Sequence, residues 1–367
     1  MTEMNPGLSA SPHAHDSSRV NRIMLHVCLA LTPLTIWSFM LWGMAAALVW
    51  MLCVVSAIAF ESLCLKVQQQ PQSRLADGSA LLTGWLLALT LPPGCPWWIA
   101  VFGSFFAIVI GKQIYGGIGQ NLFNPALLAR IALLISFPVP MTTWLEPGLN
   151  LSMDQSMQLV FGDAAAVLSS AAANGVDAMT GATWLGDSKA AVKSGNDMLS
   201  WLGSNFDLHS AWLGERRGSL GETSTLLILL GAAWLLWLRI ISWHIPVALL
   251  GTVALLALVS SHTQPQAFGG PEFHLLSGGL MLGAFFYATD YVTSPTTRLG
   301  QIIFGIGAGV MIFSIRSWGS FPESVAFGIL LMNALAPLID RVTRPRIYGR
   351  NRSGDAISHA SAQRRVQ

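Results

Sequence analysis

GSALLTGWLLALTLPP, residues 78–93, is apolar enough for a bilayer yet short, and it runs into the proline pair Pro92 and Pro93. At about 1.5 Å per helical residue it does not comfortably cross a hydrocarbon core of about 30 Å. HLLSGGLMLGAFFYATD, residues 274–290, has the same build: glycine-containing, short, and leading to a turn marked by Pro295. Read outward from these two, the chain shows ten apolar segments, at roughly 24–41, 43–65, 79–92, 96–114, 122–140, 223–239, 241–261, 274–289, 299–316 and 322–340. The short ones are third and eighth, the same ordinal place in two sets of five. Because five is odd, the two halves have opposite topology, which is the pattern of an inverted repeat. Broken helices are tolerated at membrane depth only where freed backbone groups are buried in protein or line a polar cavity. The competing reading is that glycine and proline here merely allow close helix packing. The expected fold class is an all-α polytopic membrane protein, with about ten transmembrane helices in two inverted five-helix repeats and one large extracytoplasmic loop.

Composition agrees. Of 367 residues 53% are hydrophobic and 10% charged, against roughly 25% charged in a soluble domain. The net charge is only +2 and no basic run is interleaved with aromatics, which argues against a nucleic-acid partner. The polar stretch up to Asn21 lacks a compact apolar core ending in a cleavage site, so the first membrane helix is expected to direct insertion. Cys28, Cys53, Cys64 and Cys95 lie in or beside apolar stretches with no CxxC pair, and read as buried thiols rather than ligands to zinc or an iron–sulfur cluster.

Charge bias sets the orientation. Arg19, Arg22, Lys66, Arg74, Lys112, Arg239, Arg298 and the arginine-rich tail flank one set of segment ends, whereas the short loops opposite offer only Arg316. Both termini are therefore expected in the cytoplasm. The chain divides into a cytoplasmic segment 1–21, a first membrane repeat 22–140, an external loop 141–222, a second repeat 223–340 and a basic tail 341–367. Some eighty polar residues are too many for a simple connection. GDAAAVLSSAAANG, 162–175, predicts a short helix ended by Asn174 and Gly175.

After that helix comes DAMTGATWL, 177–185. The run Asp177, Thr180, Gly181, Ala182, Thr183 resembles the flavinylation signal Asp-x-x-Ser/Thr-Gly-Ala-Thr, at which a flavin transferase moves FMN from FAD onto the last threonine as a phosphodiester. By that resemblance Thr183 is the attachment residue, and Asp177, Thr180, Gly181 and Ala182 are recognition elements. A hydroxyl is a weak nucleophile unless activated, so it has to be presented to the transferase in an accessible segment. The alternative is a plain turn with capping residues.

Further blocks carry the same resemblance: RLADGSALLTGWLLALTLPP (74–93), GGIGQNLFNPALLAR (116–130) and LLSGGLMLGAFFYATDYVTSPTT (275–297). They are similar to shared blocks of the D subunit of the Rnf ion-translocating oxidoreductase and the B subunit of the sodium-pumping NADH:quinone reductase. The likeness spans most of residues 20–345, and the short N-terminal extension favours the Rnf member. It implies a urea-transporter-like repeat in the bacterial inner membrane with FMN on the periplasmic loop and a second flavin, riboflavin, in the membrane body. It also implies the Rnf proteins A, B, C, E and G as partners in a chain linking ferredoxin and NAD. The protein is not expected to be catalytic alone.

Inside the membrane, ionisable residues mark candidate pathways. Asp290, closing the short eighth segment, is the better candidate for an ion path, whereas Glu61 reads as reaching water at the cytoplasmic end. The glycine-rich turn holding Gly116, Gly117, Asn121 and Asn124, flanked by Lys112 and Arg130, offers backbone amides to an ion or the inner flavin; a structural turn is the equal alternative. His244 and His274 read as interfacial, and Trp42, Trp97, Trp98, Trp144, Trp243 and Trp318 as an aromatic belt. A rival function is a small-solute channel, which paired broken helices alone would suit equally.

Overall fold

The computed structural model describes residues 20–148, 151–162, 164, 166–167, 183–319, 321 and 323–344. Every regular element among them is helical. The principal helices are α1 (Val20–Val67), α2 (Ser79–Thr90), α3 (Trp97–Phe105, continued as a π-helix over Phe106–Gln113) and α4 (Pro125–Ser136). Next come α5 (Trp184–Lys193), α6 (Thr225–Trp237), α7 (His244–Thr263) and α8 (Leu280–Leu282, continued as a π-helix over Gly283–Tyr287). Helices α9 (Arg298–Trp318) and α10 (Val325–Val342) complete the set. Among the described residues five helices are long and apolar enough to cross a membrane, and Ser79–Thr90, Pro125–Ser136 and Thr225–Trp237 are shorter apolar ones.

The first two apolar segments form one run, α1, broken at Gly43, whose backbone (φ 63°, ψ −143°) leaves the helical region. A side chain there would be strained, so glycine marks the break between two arms. Close approach governs the second half too. A Cβ at Gly305 would stand 2.7 Å from the Ala248 Cβ and 2.8 Å from the Ile245 carbonyl; one at Gly309 would stand 2.8 Å from the Leu249 carbonyl. These two glycines, four residues apart on α9, let it lie against α7 backbone to backbone, where attraction between membrane helices comes from packing.

The two short segments are broken helices. A pair of prolines follows α2, and the second apolar run is split into Pro271–Leu276 and α8 by the turn Ser277–Gly279. Their freed carbonyls are met by protein. Leu89 and Leu91 at the end of α2 accept from the backbone N–H groups of Gly221 (2.6 Å) and Leu220 (3.1 Å). Before α8, the Arg316 guanidinium donates to the carbonyls of His274 (2.6 Å) and Ser277 (3.2 Å). An unmet carbonyl at that depth costs on the order of several kcal/mol, which explains a fully buried arginine and a polar loop folded against the helix ends.

Several sequence expectations are corrected. Trp42 and Trp144 are each 2% exposed, so they belong to the interior rather than a belt, whereas Trp97, Trp98, Trp243 and Trp318 are exposed. His274 is buried among Phe273 and Phe313 rings, not interfacial. Cys28, Cys53 and Cys95 are buried free thiols as expected, and Cys64 is partly so. The alanine-rich helix expected over 162–175 falls largely outside the described residues, as do the N-terminal segment and the basic tail.

Candidate functional site

The π-helices shape the centre. In the first, the Ile114 N–H donates to the Val109 carbonyl (3.0 Å); in the second, the Ala288 N–H donates to the Gly283 carbonyl (2.8 Å). One extra residue per turn re-aims the side chains that follow, and such bulges favour functional places. Both segments contribute to one cavity with about 810 Å³ of empty space, part of it open to solvent, lined by Lys112, Ser79, Thr83, Asn121, Asn124 and Asp290 with Phe285 and Phe286. Three of the residues singled out from sequence, Asp290, Asn121 and Asn124, thus meet in one place. Gly116 and Gly117 adopt left-handed backbone in the adjoining turn but do not line the cavity.

Asp290 accepts from the Thr293 hydroxyl (3.2 Å) and the Val292 N–H (3.4 Å). The Asn124 side chain caps α4, accepting from the N–H groups of Ala126 (3.1 Å) and Leu127 (3.3 Å). Lys112 is 3% exposed and donates to both oxygens of Glu61 (2.7 and 2.6 Å) and to the Ser79 hydroxyl (2.6 Å). Gln113 adds a bond to Glu61 at 3.1 Å. The expectation that Glu61 reaches water is therefore wrong: it is 3% exposed and closes a buried ion pair. Lys112 in turn is no solvent-facing flank charge.

A second cavity lies at the other end of α2. Leu89, Thr90 and Tyr287 line it with Glu222, Arg130, Arg316 and Glu323. Arg130 is paired with Glu323 at 2.8 Å and lies 5.7 Å from the centre of the Trp144 ring. Between the cavities, the Tyr287 hydroxyl donates to the Leu86 carbonyl (2.6 Å), tying one broken helix to the other. Leu86 faces the first cavity and Leu89 the second.

Thr183 begins α5. It is 5% exposed, and its Oγ1 accepts from the Gly186 N–H at 3.4 Å as the helix cap. It lines a small space with Trp144, Phe321, Thr142, Gly186 and Glu323, so Glu323 touches this space and the second cavity alike. Burial raises the affinity of the nearby Asp187 for its proton, against the pull of Arg217. The other motif residues, Asp177, Thr180, Gly181 and Ala182, lie outside the described residues. The accessible presentation expected for an acceptor hydroxyl is not what this conformation offers.

Glu222 and Glu323 passed unremarked in the sequence, as did Arg216, a buried arginine that donates to the carbonyls of Glu222 (3.2 Å) and Leu276 and lies 5.4 Å from the centre of the Trp184 ring. Each stands in a loop, where charge is ordinarily solvated; the only available signal was that each lies close to a broken helix or a segment start.

Together these features define a polytopic, all-helical protein with two broken helices meeting between charged cavities. The chain belongs to the NQR2, RnfD, RnfE family, whose model matches residues 7–349. It is 55% identical over 350 residues to the D subunit of the ion-translocating oxidoreductase complex of Stutzerimonas stutzeri, covering 95% of this chain and 98% of the relative. The protein of the same name from Halorhodospira halophila is 42% identical, covering 96% and 98% of the two chains. The D subunit of the proton-translocating ferredoxin:NAD(+) oxidoreductase complex of Clostridium ljungdahlii is also 42% identical, covering 94% and 96%. The resemblance drawn from the flavinylation-like run and the three shared blocks is borne out at the level of family and of the complex member it resembles. The chain is a multi-pass membrane protein.

Proposed function

We propose that this chain is the membrane-embedded D subunit of an ion-translocating oxidoreductase complex in a bacterial inner membrane, and that it carries electrons through FMN esterified to Thr183. The observation that carries this is the complete motif from Asp177 to Thr183 in a chain whose relatives bear that name along nearly their whole length. In the attachment, the Thr183 oxygen forms a new P–O bond to the flavin phosphate of FAD, the pyrophosphate bond breaks, AMP departs, and the hydroxyl proton passes to a base of the transferase. The residues fit the group. Thr183 stands at the start of a ten-residue helix, where free N–H groups and the helix dipole favour a phosphodiester anion. Trp144 and Phe321 supply apolar walls beside it. FMN there would supply one- and two-electron redox chemistry.

Ten spans in two inverted repeats remain the best account of the membrane body. Supporting it, a left-handed glycine stands before α2 and before α8, Gly78 (φ 78°) and Gly278 (φ 68°). A buried cation from the fourth segment of each five holds the adjoining serine: Lys112 the Ser79 hydroxyl, and Arg316 the Ser277 carbonyl. The cavity holding Asp290, Asn121 and Asn124 is our candidate for an ion path or a riboflavin site: polar groups converge there between apolar walls, as ligand pockets require. The other proteins of the complex and a flavin transferase are the proposed partners. The relative named for ferredoxin and NAD supports that electron chain, with protons or sodium as the ion moved.

The test is mass spectrometry of the peptide containing Thr183, from protein made with its transferase and adequate flavin. An FMN adduct on Thr183 supports the reading. No bound flavin anywhere removes its main support and leaves a solute channel as the better account.

A further inference from the structure

Apart from the two central cavities, the membrane body meets α5 around a third cavity, with about 760 Å³ of empty space, part of it open to solvent. Its charged lining is of one sign: Lys189 and Lys193 from one face of α5, and Arg316 from the end of α9. Among the described residues the lining holds no carboxylate. His274 also lines it, 5% exposed, and neither of its ring nitrogens has a hydrogen-bond partner among the described residues; nor has the Arg316 Nε. One nitrogen of a neutral imidazole donates and the other accepts, so the His274 N–H and the Arg316 Nε–H both lack an acceptor beside one basic space, and a buried donor without a partner costs about 1–3 kcal/mol.

We propose that this cavity binds a phosphate-bearing anion, with Lys189 and Lys193 supplying charge and His274 and the Arg316 Nε supplying hydrogen bonds. A phosphate oxygen accepts from all of these donors, and charge-assisted bonds of this kind are the stronger ones. The Lys189 ammonium, which donates to the Gly319 carbonyl at 2.7 Å, is held below the usual lysine range by burial and by Lys193 and Arg316. A bound anion would relieve that repulsion. Phe268 and Trp318, which form an edge-to-face ring pair, add an apolar wall. The same phosphate chemistry serves a free anion and a phospholipid headgroup.

The purified full-length chain, delipidated in neutral detergent, would be titrated with inorganic phosphate and, separately, with dihexanoyl-phosphatidylglycerol, with dihexanoylglycerol as the phosphate-free control. The readout is the thermal unfolding midpoint. We expect it to rise with a phosphate-bearing ligand, and the half-saturating concentration to rise about tenfold in Lys189→Gln/Lys193→Gln, whose ligand-free midpoint stays near wild type. His274→Phe, which keeps the ring packing, should shift the titration the same way. Response to both phosphate compounds assigns a free-anion site; response to the phosphatidylglycerol alone assigns a lipid headgroup; either supports the proposal. No response to either, an equal response to dihexanoylglycerol, or a titration unchanged by the double lysine variant overturns it.

Discussion

At the scale of single residues, Thr183 has two tasks, as helix cap and as proposed acceptor. Thr183→Val keeps the β-branched shape and removes the hydroxyl. It should abolish in-gel flavin fluorescence while the protein still inserts, whereas Thr183→Ser should retain some; fluorescence surviving in Thr183→Val would move the site elsewhere. Because Thr183 is buried, the folded, flavin-free chain should also be a poor substrate for its transferase. Sub-denaturing urea should accelerate labelling in a time course, and an unchanged or lower rate would mean that the hydroxyl is reached without opening the loop. The buried Glu61–Lys112 pair makes a different demand. Removing one partner leaves an uncompensated charge, so Glu61→Gln should destabilise by about 3 kcal/mol, and the double change to methionine should recover much of it. Detergent-melting curves of the two variants beside the parent protein would check this.

Among elements, the contact of α7 with α9 depends on absent side chains. Gly309→Leu would drive a side chain into the Leu249 carbonyl and Thr252, and overpacking of this kind costs about 1–3 kcal/mol or more. We expect loss of the monodisperse peak in size-exclusion chromatography. Gly251→Leu on α7 is the control, since nothing lies within 4 Å of a Cβ there. At the end of α8, Asp290→Asn should impair ion uptake by vesicles containing the complex while leaving covalent flavin intact; normal uptake would remove Asp290 from the path. The helical segments were legible because bilayer thickness and glycine or proline punctuation both leave local marks. The π-helices at Phe106–Gln113 and Gly283–Tyr287 were not, since one added residue per turn leaves no trace in apolar periodicity. Nor was the Glu61–Lys112 pair, whose partners are fifty-one positions apart; a single carboxylate near a segment end looks the same whether it meets water or a lysine.

For the molecule as a whole, the proposed orientation predicts that a reporter fused after Gly195 is extracytoplasmic and one after Arg352 cytoplasmic. A cytoplasmic signal from Gly195 would overturn the ten-span account. That orientation now rests on fewer charges than the sequence offered, because Lys112 and Arg316 are both buried and bonded inside the protein. Family and candidate acceptor were legible because both are written in short contiguous blocks. The charged cavities were legible only in part, because Asp290, Asn124 and Lys112 meet through the fold. The two cavities reaching α2 from opposite ends have an electrical consequence. Leu86 faces one and Leu89 the other, a separation of three residues, about 4.5 Å along a helix. With water in both, a membrane voltage falls mainly across that thin septum rather than across the full bilayer. An elementary charge shifted by about one helical turn would there meet most of the available work, about 2.3 kcal/mol per 100 mV.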